Sequence, residues 1–226
     1  IIIIIYIIAY YGVKSPPSST QNVDLVIPST ITHSHIGIRG DMGNQMFQIA
    51  CVAATALKSN AQMILPTRTL NLPIYNLCNI ESCTFLDTNP DHVFPEFTNM
   101  EELTIPANGK IYDIRGYRQC YKYFDDYATD IRKLLSPKPE ILQIVSAQLP
   151  CNYIALHIRK GDYVKLIHKI PLLREFRQCQ LAYYQAAIKK LREYHPISPI
   201  IICTDSVEWV TPILPQLDDN CQLSPV

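Results

Sequence analysis

The chain has 226 residues, which is enough for one large domain or two small ones. Its 20 basic side chains balance 20 acidic ones, so a general binder of nucleic acid or of a charged membrane surface is excluded. Apolar residues make up 48% and charged residues 18% of the chain, which excludes a disordered protein and predicts a sizeable core.

The first 11 residues form an apolar run that is rich in isoleucine. A helix that spans a bilayer needs about 20 apolar residues, so the run is either part of a signal anchor or a buried strand. The polar segment that follows is rich in proline and serine, and we interpret 12–34 as a stem or linker. The order of anchor, stem and domain favours a type II membrane protein of the secretory pathway.

Strand and helix patterns alternate in the next part of the chain, which we interpret as an N-terminal α/β domain, 35–150. Residues 66–108 carry much Pro, Asn and Thr without a clear period, and are predicted to be irregular. The predicted elements are strands at 35–38, 61–65 and 110–114 and helices at 44–59, 121–135 and 139–148.

A second α/β pattern occupies the C-terminal part, 151–226. Strands are predicted at 152–158 and 200–203, and a helix at 178–194 with Leu181, Tyr184, Ile188 and Leu191 on its apolar face. Two such patterns predict two Rossmann-like domains that face a cleft.

The eight cysteines give little guidance. Cys78 and Cys83 lie close together in an irregular stretch and could form a local disulfide. Cys51 and Cys203 fall within apolar helix and strand patterns, which predicts inert core residues. No Cys or His spacing indicates a zinc site.

A glycine pair precedes the first helix, in the stretch 40–48 (GDMGNQMFQ). Glycines let backbone N–H groups approach a phosphate, and a helix N-terminus favours negative charge. The stretch is neither a Walker A loop nor a dinucleotide fingerprint. Taken alone, it also fits a tight turn followed by an ordinary helix start.

Basic residues follow the strand at 152–158, in the stretch 157–163 (HIRKGDY). Arg159 and Lys160 can neutralise a pyrophosphate, and arginine adds bidentate geometry. The alternative is a strand end whose charges merely face water. His157, on an otherwise apolar strand, weighs against that alternative.

Asp205 and Ser206 follow the next strand, in the stretch 204–209 (TDSVEW). A carboxylate there can accept hydrogen bonds from a ribose or a guanine edge, although an ordinary helix cap explains the same residues. No D-x-D sequence occurs, so the carboxylate pair of a metal-bound sugar nucleotide is missing and no metal is expected.

Taken in order, these stretches resemble the family 11 glycosyltransferases, the α-1,2-fucosyltransferases. The family pattern G-x-x-G-N-Q-M-F-Q-x-A matches 40–50, and H-x-R-[RK]-G-D-Y matches 157–163. Further matches lie at 116–124 (GYRQCYKYF), at 183–188 (YYQAAI) and, approximately, at 204–209. The resemblance covers about 36–214.

The resemblance implies a GT-B-like fold, GDP-fucose as donor, a galactose-terminated glycan as acceptor, inversion at the fucose anomeric carbon and no metal. It also implies a lumenal catalytic domain in the Golgi. By position, Arg159 is expected to hold the pyrophosphate, with His157 and Asp162 in the same loop. Asp162 is a candidate general base, which the motif does not establish.

The resemblance assigns the remaining site residues to substrate binding. Asp205, with Ser206, is expected to contact the nucleoside, and Lys160 the phosphates. Three residues of the first motif are expected across the cleft near the phosphates or the acceptor: Gly43, Asn44 and Gln45.

This sequence also departs from the family pattern. Lys160 stands where arginine is common, and Thr204 and Ser206 replace Ser and Asp, so the nucleoside contacts are expected to differ. The family pattern continues past the position of Val226, so the C-terminal domain is expected to be incomplete. The alternatives are a non-catalytic relative that binds a glycan or a nucleotide, and a protein O-fucosyltransferase.

Overall fold

The structure, a computed structural model, describes residues 27–95, 105–161 and 179–225. The chain divides into two compact units. The first ends at Leu135 and the second begins at Ser136, with Leu77–Asn79 assigned to the second. The predicted boundary at 150 therefore falls too late, because the helix at Pro139–Gln148 belongs to the second unit.

The first unit contains a five-stranded sheet of order β3-β2-β1-β5-β4, in which every strand pairing is parallel. Short 3-10 helices lie at Thr67–Asn71, Tyr121–Tyr123 and Asp125–Tyr127. The regular elements are β1 Thr30–Thr32, α1 Met42–Lys58, β2 Gln62–Leu65, α2 Pro73–Leu77, β3 Thr84–Phe85, β4 His92–Phe94, β5 Ile111–Ile114 and α3 Ala128–Leu135.

The central strand β1 is not where the sequence predicts it. The predicted strand at 35–38 is a series of turns, in which Gly37 has a φ of 78°. The strand is Thr30–Thr32, inside the segment interpreted as linker 12–34. The strand was not recognised because the residues next to Ile31 in the sequence are polar. In the structure Ile31 is completely buried, and its strand pairs with β2 and β5. That burial stabilises the fold by about 2 kcal/mol.

Helix α1 covers this sheet, and its existence was predicted correctly. Cys51 and Val52 pack against Ile31 of β1 and Ile114 of β5. A second face of α1 carries three alanines that pack with Ile131 of α3: Ala50, Ala53 and Ala54. The small side chains allow the helix to approach its neighbours closely. The helix starts at Met42 instead of residue 44, so the glycine motif lies partly inside it.

The helix predicted at 121–135 is only partly formed. Two 3-10 segments, Tyr121–Tyr123 and Asp125–Tyr127, precede α3, which begins at Ala128. Phe124 between them has a ψ of 12°, outside the α-helical range, so the i to i−4 hydrogen-bond pattern is not continuous.

The second unit contains a three-stranded parallel sheet of order β6-β7-β8. A short 3-10 helix lies at Thr211–Ile213. The regular elements are α4 Pro139–Gln148, β6 Ile154–Ile158, α5 Leu181–Arg192, β7 Ile200–Thr204, α6 Val207–Val210, α7 Leu214–Leu217 and β8 Cys221–Leu223. Strand β8 was not predicted.

One face of this sheet forms the core of the second unit. Tyr184 and Ile188 of α5 pack on the alternate isoleucines of β6 and β7: Ile154, Ile158, Ile200 and Ile202. Leu191, predicted on the same helix face, is 37% exposed, because it lies near the end of α5. The α/β class predicted from the sequence is confirmed, with a parallel sheet in each unit.

The cysteine predictions are partly wrong. Cys78 and Cys83 are free thiols, and Cys78 instead forms an isolated β-bridge with Pro137. Cys51 is buried as expected, but Cys203 is exposed, since its side chain lies on the sheet face opposite to the core isoleucines.

No helix in the described part of the chain is long and apolar enough to cross a membrane. The apolar run 1–11, on which the predicted anchor depends, lies outside the described residues.

Candidate functional site

The carboxyl ends of β6 and β7 lie side by side in the second unit, because Ile158 pairs with Thr204 in parallel register. Both predicted motifs continue from these ends. Asp205 Oδ1 accepts hydrogen bonds from the backbone N–H of Lys160 at 2.8 Å and of Gly161 at 3.2 Å. The carboxylate thereby fixes the loop that follows β6 to the end of β7.

Arg159 lies beside the same carboxylate. Its Nε is 3.8 Å from Asp205 Oδ2, and the two side chains are 44% and 38% exposed. Burial acts to raise the pKa of Asp205, but the amides of Lys160 and Gly161 and the Arg159 guanidinium together hold it below its usual value. Asp205 is therefore ionised at neutral pH and orients a solvent-facing guanidinium.

Gly161 is required by the closeness of this packing. A Cβ atom added at this position would lie 2.5 Å from Asp205 Oδ2. A carboxylate held by two amides and a guanidinium cannot retreat without losing those contacts. The glycine of the basic motif thus permits the carboxylate to approach the backbone.

The Lys160 side chain lies in the interior instead of beside the Arg159 guanidinium. It is 5% exposed, and its Nζ donates to the backbone carbonyl of Cys179 at 2.7 Å. The same Nζ lies 4.1 Å from the centroid of the Trp209 ring, at cation–π distance. Burial lowers the pKa of Lys160, and the nearby Cys179 thiol acts in the opposite direction.

Lys160 therefore differs from the expectation that it faces a phosphate. Its backbone N–H contributes to the site through Asp205, while its ammonium connects the loop to Cys179 and Trp209. The cause is local, since side chains of successive residues in extended chain alternate in direction. The sequence could not show which of the two adjacent cations faces outward.

His157 and Ser206 border this arrangement. His157 is exposed on β6 and pairs in register with Cys203 of β7. Ser206 is the N-cap residue of α6, but its Oγ donates to Asp205 Oδ1 at 3.4 Å and makes no capping bond. Asp162 lies outside the described residues, so its role stays a prediction.

The first motif lies in the other unit, at the start of α1. Gly40 has a φ of 80°, and a Cβ atom there would collide with the Asn44 side chain. Gly43 is exposed in the first turn of the helix. Gln45 is 5% exposed and donates from Nε2 to the Gly40 carbonyl at 3.2 Å, which ties the helix to the preceding turn.

A charged network at the carboxyl edge of the first sheet was not predicted from the sequence. Asp113 of β5 is completely buried. It accepts from the Ser34 N–H at 2.7 Å, the Ser34 hydroxyl at 2.6 Å and Arg115 Nε at 2.8 Å. Arg68 Nη1 donates to the Ser34 carbonyl at 2.9 Å, so the ends of β1, β2 and β5 are joined. The available signal was an aspartate inside an apolar strand.

His33 is the second buried polar group of this edge. Its Nε2 lies 2.7 Å from the Gly116 carbonyl, and the His35 N–H donates to its Nδ1 at 3.3 Å. Burial lowers the pKa of His33 to about 4, against smaller opposing effects of the Gly116 carbonyl and Asp113. The ring is therefore neutral, with its proton on Nε2.

No group of three or more His, Cys, Asp or Glu side chains that could hold a metal ion occurs in 27–95, 105–161 and 179–225. The structure thus brings together Arg159, Asp205 and Ser206, with the backbone of Lys160 and Gly161, at one sheet edge. Gly43, Asn44 and Gln45 form a separate group in the first unit.

Known proteins share both the sequence pattern and the fold. An α-1,2-colitosyltransferase of Escherichia coli is 24% identical over 201 residues, which span 76% of this chain and 68% of that protein. The structure is similar to fucosyltransferase NodZ from Bradyrhizobium, with a TM-score of 0.52 and 12% identity over 88% of this chain and 78% of that one. A NodZ α-1,6-fucosyltransferase soaked with GDP-fucose matches the same shares with a TM-score of 0.50 and 12% identity.

The family model described as Glycosyl transferase family 11 matches residues 3–222. This match extends beyond the 36–214 in which the sequence motifs were found. It includes the strand pairs that place Arg159 and Asp205 at one sheet edge. The chain therefore belongs to glycosyl transferase family 11.

Proposed function

We propose that this protein is an inverting glycosyltransferase that transfers L-fucose from GDP-fucose to a galactose hydroxyl in α-1,2 linkage. Membership of family 11 supports glycosyl transfer. The α-1,2 linkage formed by the E. coli relative supports the linkage, and the similarity to a fucosyltransferase fold is consistent with a fucosyl donor. The galactose acceptor follows from the motif resemblance alone.

The observation that carries the proposal is the open ion pair between Arg159 and Asp205 at the carboxyl edge of β6 and β7. Ligands of open α/β sheets bind at this edge. Arg159 provides a solvent-facing guanidinium suited to bidentate contact with a pyrophosphate. The Asp205 carboxylate lies 3.8 Å from its Nε, which favours a position of the guanidinium at this edge before a ligand arrives.

In the proposed reaction, the acceptor oxygen forms a bond to the fucose anomeric carbon on the face opposite to GDP. The bond from that carbon to the phosphate oxygen breaks, and its electron pair leaves with GDP. The guanidinium of Arg159 stabilises the negative charge that develops on the leaving phosphate, without a divalent metal. The acceptor proton passes to a base for which Asp162 is the candidate.

The roles of the other residues are parts of the same proposal. His157 and Ser206 belong to the proposed donor-binding site. In that site Asp205 also contacts the nucleoside of the donor. The residues that contact the acceptor or the phosphates of the donor include Gly43, Asn44 and Gln45. Location in the Golgi membrane, through an anchor at 1–11, depends on the sequence pattern alone and is tested by following a tagged full-length protein in cells.

Colitose is a second candidate donor sugar, because the curated relative is a colitosyltransferase. Colitose is fucose without its 3-hydroxyl, so the two donors share the nucleotide, the pyrophosphate and the anomeric chemistry. Competition between GDP-fucose and GDP-colitose distinguishes them. A site that hydrogen-bonds the 3-hydroxyl rejects colitose, since its polar groups would be left unpaired.

The test is calorimetric titration of the full chain with GDP-fucose and GDP in the presence of chelator. We expect binding that Arg159→Ala weakens at least tenfold, because a charge-assisted hydrogen bond contributes about 1.5–3 kcal/mol. Lys190→Ala is the matched control: it removes an exposed cation of the same unit, paired with Glu193 on α5.

Equal losses in the two variants would mean that net charge, and not this site, attracts the nucleotide. Binding that requires a divalent ion would contradict the metal-free part of the proposal. Tight GDP-fucose binding without transfer to any galactoside would support the non-catalytic alternative.

A further inference from the structure

The loop that follows β5, residues 116–121 (GYRQCY), is held by hydrogen bonds to three other segments of the first unit. The Gly116 carbonyl accepts from His33 Nε2 at 2.7 Å. Arg118 Nη2 donates to the Pro95 carbonyl at 2.8 Å. Gln119 Nε2 donates to Asn44 Oδ1 at the start of α1. We call this segment the tyrosine loop, and its backbone is fixed before any ligand arrives.

The backbone of the tyrosine loop is also strained. Arg118 has a φ of 51° although it is not glycine, and it is 5% exposed. The N–H of Cys120 donates to the Arg118 carbonyl at 2.8 Å, which closes a tight turn. Such conformations persist only when the surroundings impose them, and they concentrate at functional sites. The strain turns Arg118 inward and leaves its neighbours outside.

Those neighbours are two aromatic rings and an amide. Tyr117 is 39% exposed and Tyr121 is 59% exposed, and Gln119 between them is exposed as well. Within the described ranges, neither ring contacts another aromatic side chain. In the same ranges Gln119 Oε1 and Asn44 Nδ2 make no hydrogen bond, so this pair of amides has one acceptor and one donor left for a ligand.

We propose that the tyrosine loop, with Asn44, is the subsite that binds the acceptor sugar, and that this sugar is a neutral galactoside. The inference rests on the proposed function and adds the residues that hold the acceptor. Galactopyranose has one face of C–H groups, which stacks on an aromatic ring such as Tyr117. Two neighbouring hydroxyls then satisfy Gln119 Oε1 and Asn44 Nδ2, one as donor and one as acceptor.

The charges of the loop favour a neutral ligand. The Arg118 guanidinium is buried on the Pro95 carbonyl, and Arg115 is paired with the buried Asp113. The exposed residues of the loop itself, Tyr117, Gln119 and Tyr121, are uncharged, and the preceding Arg115, which is 37% exposed, is paired. Phosphates and other anions bind where cations face the solvent, as at Arg159 in the second unit.

The experiment measures binding of methyl β-D-galactopyranoside to the full chain by saturation-transfer NMR, and binding of GDP by calorimetry. We expect Tyr117→Ala and Gln119→Ala each to weaken galactoside binding at least fivefold and to leave GDP binding unchanged. Tyr117→Phe keeps the ring and should bind like the original chain. In transfer assays, Tyr117→Ala should raise the acceptor KM and leave the donor KM unaltered.

Tyr194→Ala is the matched control, because Tyr194 is 69% exposed and lies in the second unit. The proposal is overturned if Tyr117→Ala and Gln119→Ala bind the galactoside as tightly as the original chain, or if the original chain does not bind it. Galactoside binding without GDP binding would retain the subsite and refute the proposed donor. GDP binding without galactoside binding would refute the subsite and retain the donor.

Discussion

The carboxyl edges of the two sheets use the same chemical pair in opposite ways. In the first unit, Asp113 is completely buried and is paired with Arg115. In the second unit, the Arg159 and Asp205 side chains are 44% and 38% exposed at a separation of 3.8 Å. The two arginines are similarly exposed, since Arg115 keeps 37% of its side chain in solvent, so the edges differ in the carboxylate, which is buried at one edge and partly exposed at the other.

This difference matters because burial decides what an ion pair can do. The oxygens of Asp113 are used by the Ser34 N–H, the Ser34 hydroxyl and the Arg115 guanidinium, so the group holds the ends of β1 and β5 together. Asp205 also accepts from two backbone amides, yet its carboxylate stays 38% exposed beside the Arg159 guanidinium. The comparison predicts that changes at the first edge affect stability and that changes at the second affect binding.

The largest expected effect is at the edge with the buried carboxylate. Asp113→Ala removes the acceptor of three charge-assisted hydrogen bonds, two from Ser34 and one from the 37% exposed Arg115, and should lower the free energy of unfolding by about 3–5 kcal/mol. Asp113→Asn keeps the shape and one acceptor and should cost less. Circular dichroism during denaturant unfolding measures both variants. A loss below about 1 kcal/mol for Asp113→Ala would show that the buried Asp113 carboxylate does not stabilise the ends of the strands.

The second prediction concerns pH and His33, the neutral ring of the same edge. Burial lowers its pKa from 6.5 to about 4, so the unfolded chain binds a proton in that window and the folded chain does not. Stability should fall by about 1.4 kcal/mol per pH unit below pH 6.5 and reach a loss of about 3 kcal/mol near pH 4.

The measurement is the free energy of unfolding at pH 7.5, 6.0 and 5.0, where carboxylates remain largely ionised. His33→Gln has no titrating ring and should show a flatter profile than the original chain, although it is less stable at pH 7.5. Parallel profiles for the two proteins would mean that another group produces the pH dependence.

The smallest expected effect concerns Lys160, which belongs to the edge with the exposed carboxylate but whose ammonium is buried. Lys160→Met loses the hydrogen bond to the Cys179 carbonyl and the contact with Trp209, and should cost about 2 kcal/mol of unfolding free energy. Trp209 is the single tryptophan, so its fluorescence reports this region directly. GDP binding should weaken far less than in Arg159→Ala.

Lys160→Arg keeps the cation and should retain part of the stability. If Lys160→Met weakens GDP binding as strongly as Arg159→Ala does, with little change in stability, the Lys160 ammonium contacts the phosphates. The original expectation from the basic pair would then be correct, and the two residues would act together.

The elements with strong periodicity were predictable because their sequence pattern and their burial agree. Helix α1 and helix α4 were found within two residues of their observed limits, and the buried strands β6 and β7 within two at either end. Strands β1 and β8 were missed, because each has three residues and gains its stability from parallel neighbours distant in the chain.

The sequence predicted which residues lie at the carboxyl edge of β6 and β7, but it did not predict how their side chains are arranged. The basic motif and the following Asp205 were identified, yet the sequence did not show that Asp205 binds two backbone amides. It also did not show that the Lys160 ammonium lies over Trp209. The direction of a side chain depends on the packing of neighbouring strands and helices, which no local pattern contains.

The sequence by itself determined the family, the α/β class and the positions of the motifs, because these depend on residue type, spacing and periodicity along the chain. The tertiary structure alone decided which of the carboxylates are buried and which are exposed to solvent. Asp113 and Asp205 are both aspartates at strand ends beside a partly exposed arginine, and the burial imposed by neighbouring segments encloses the first carboxylate completely and leaves the second 38% exposed. Desolvation is a property of the folded surroundings, and the order of residues does not specify it directly.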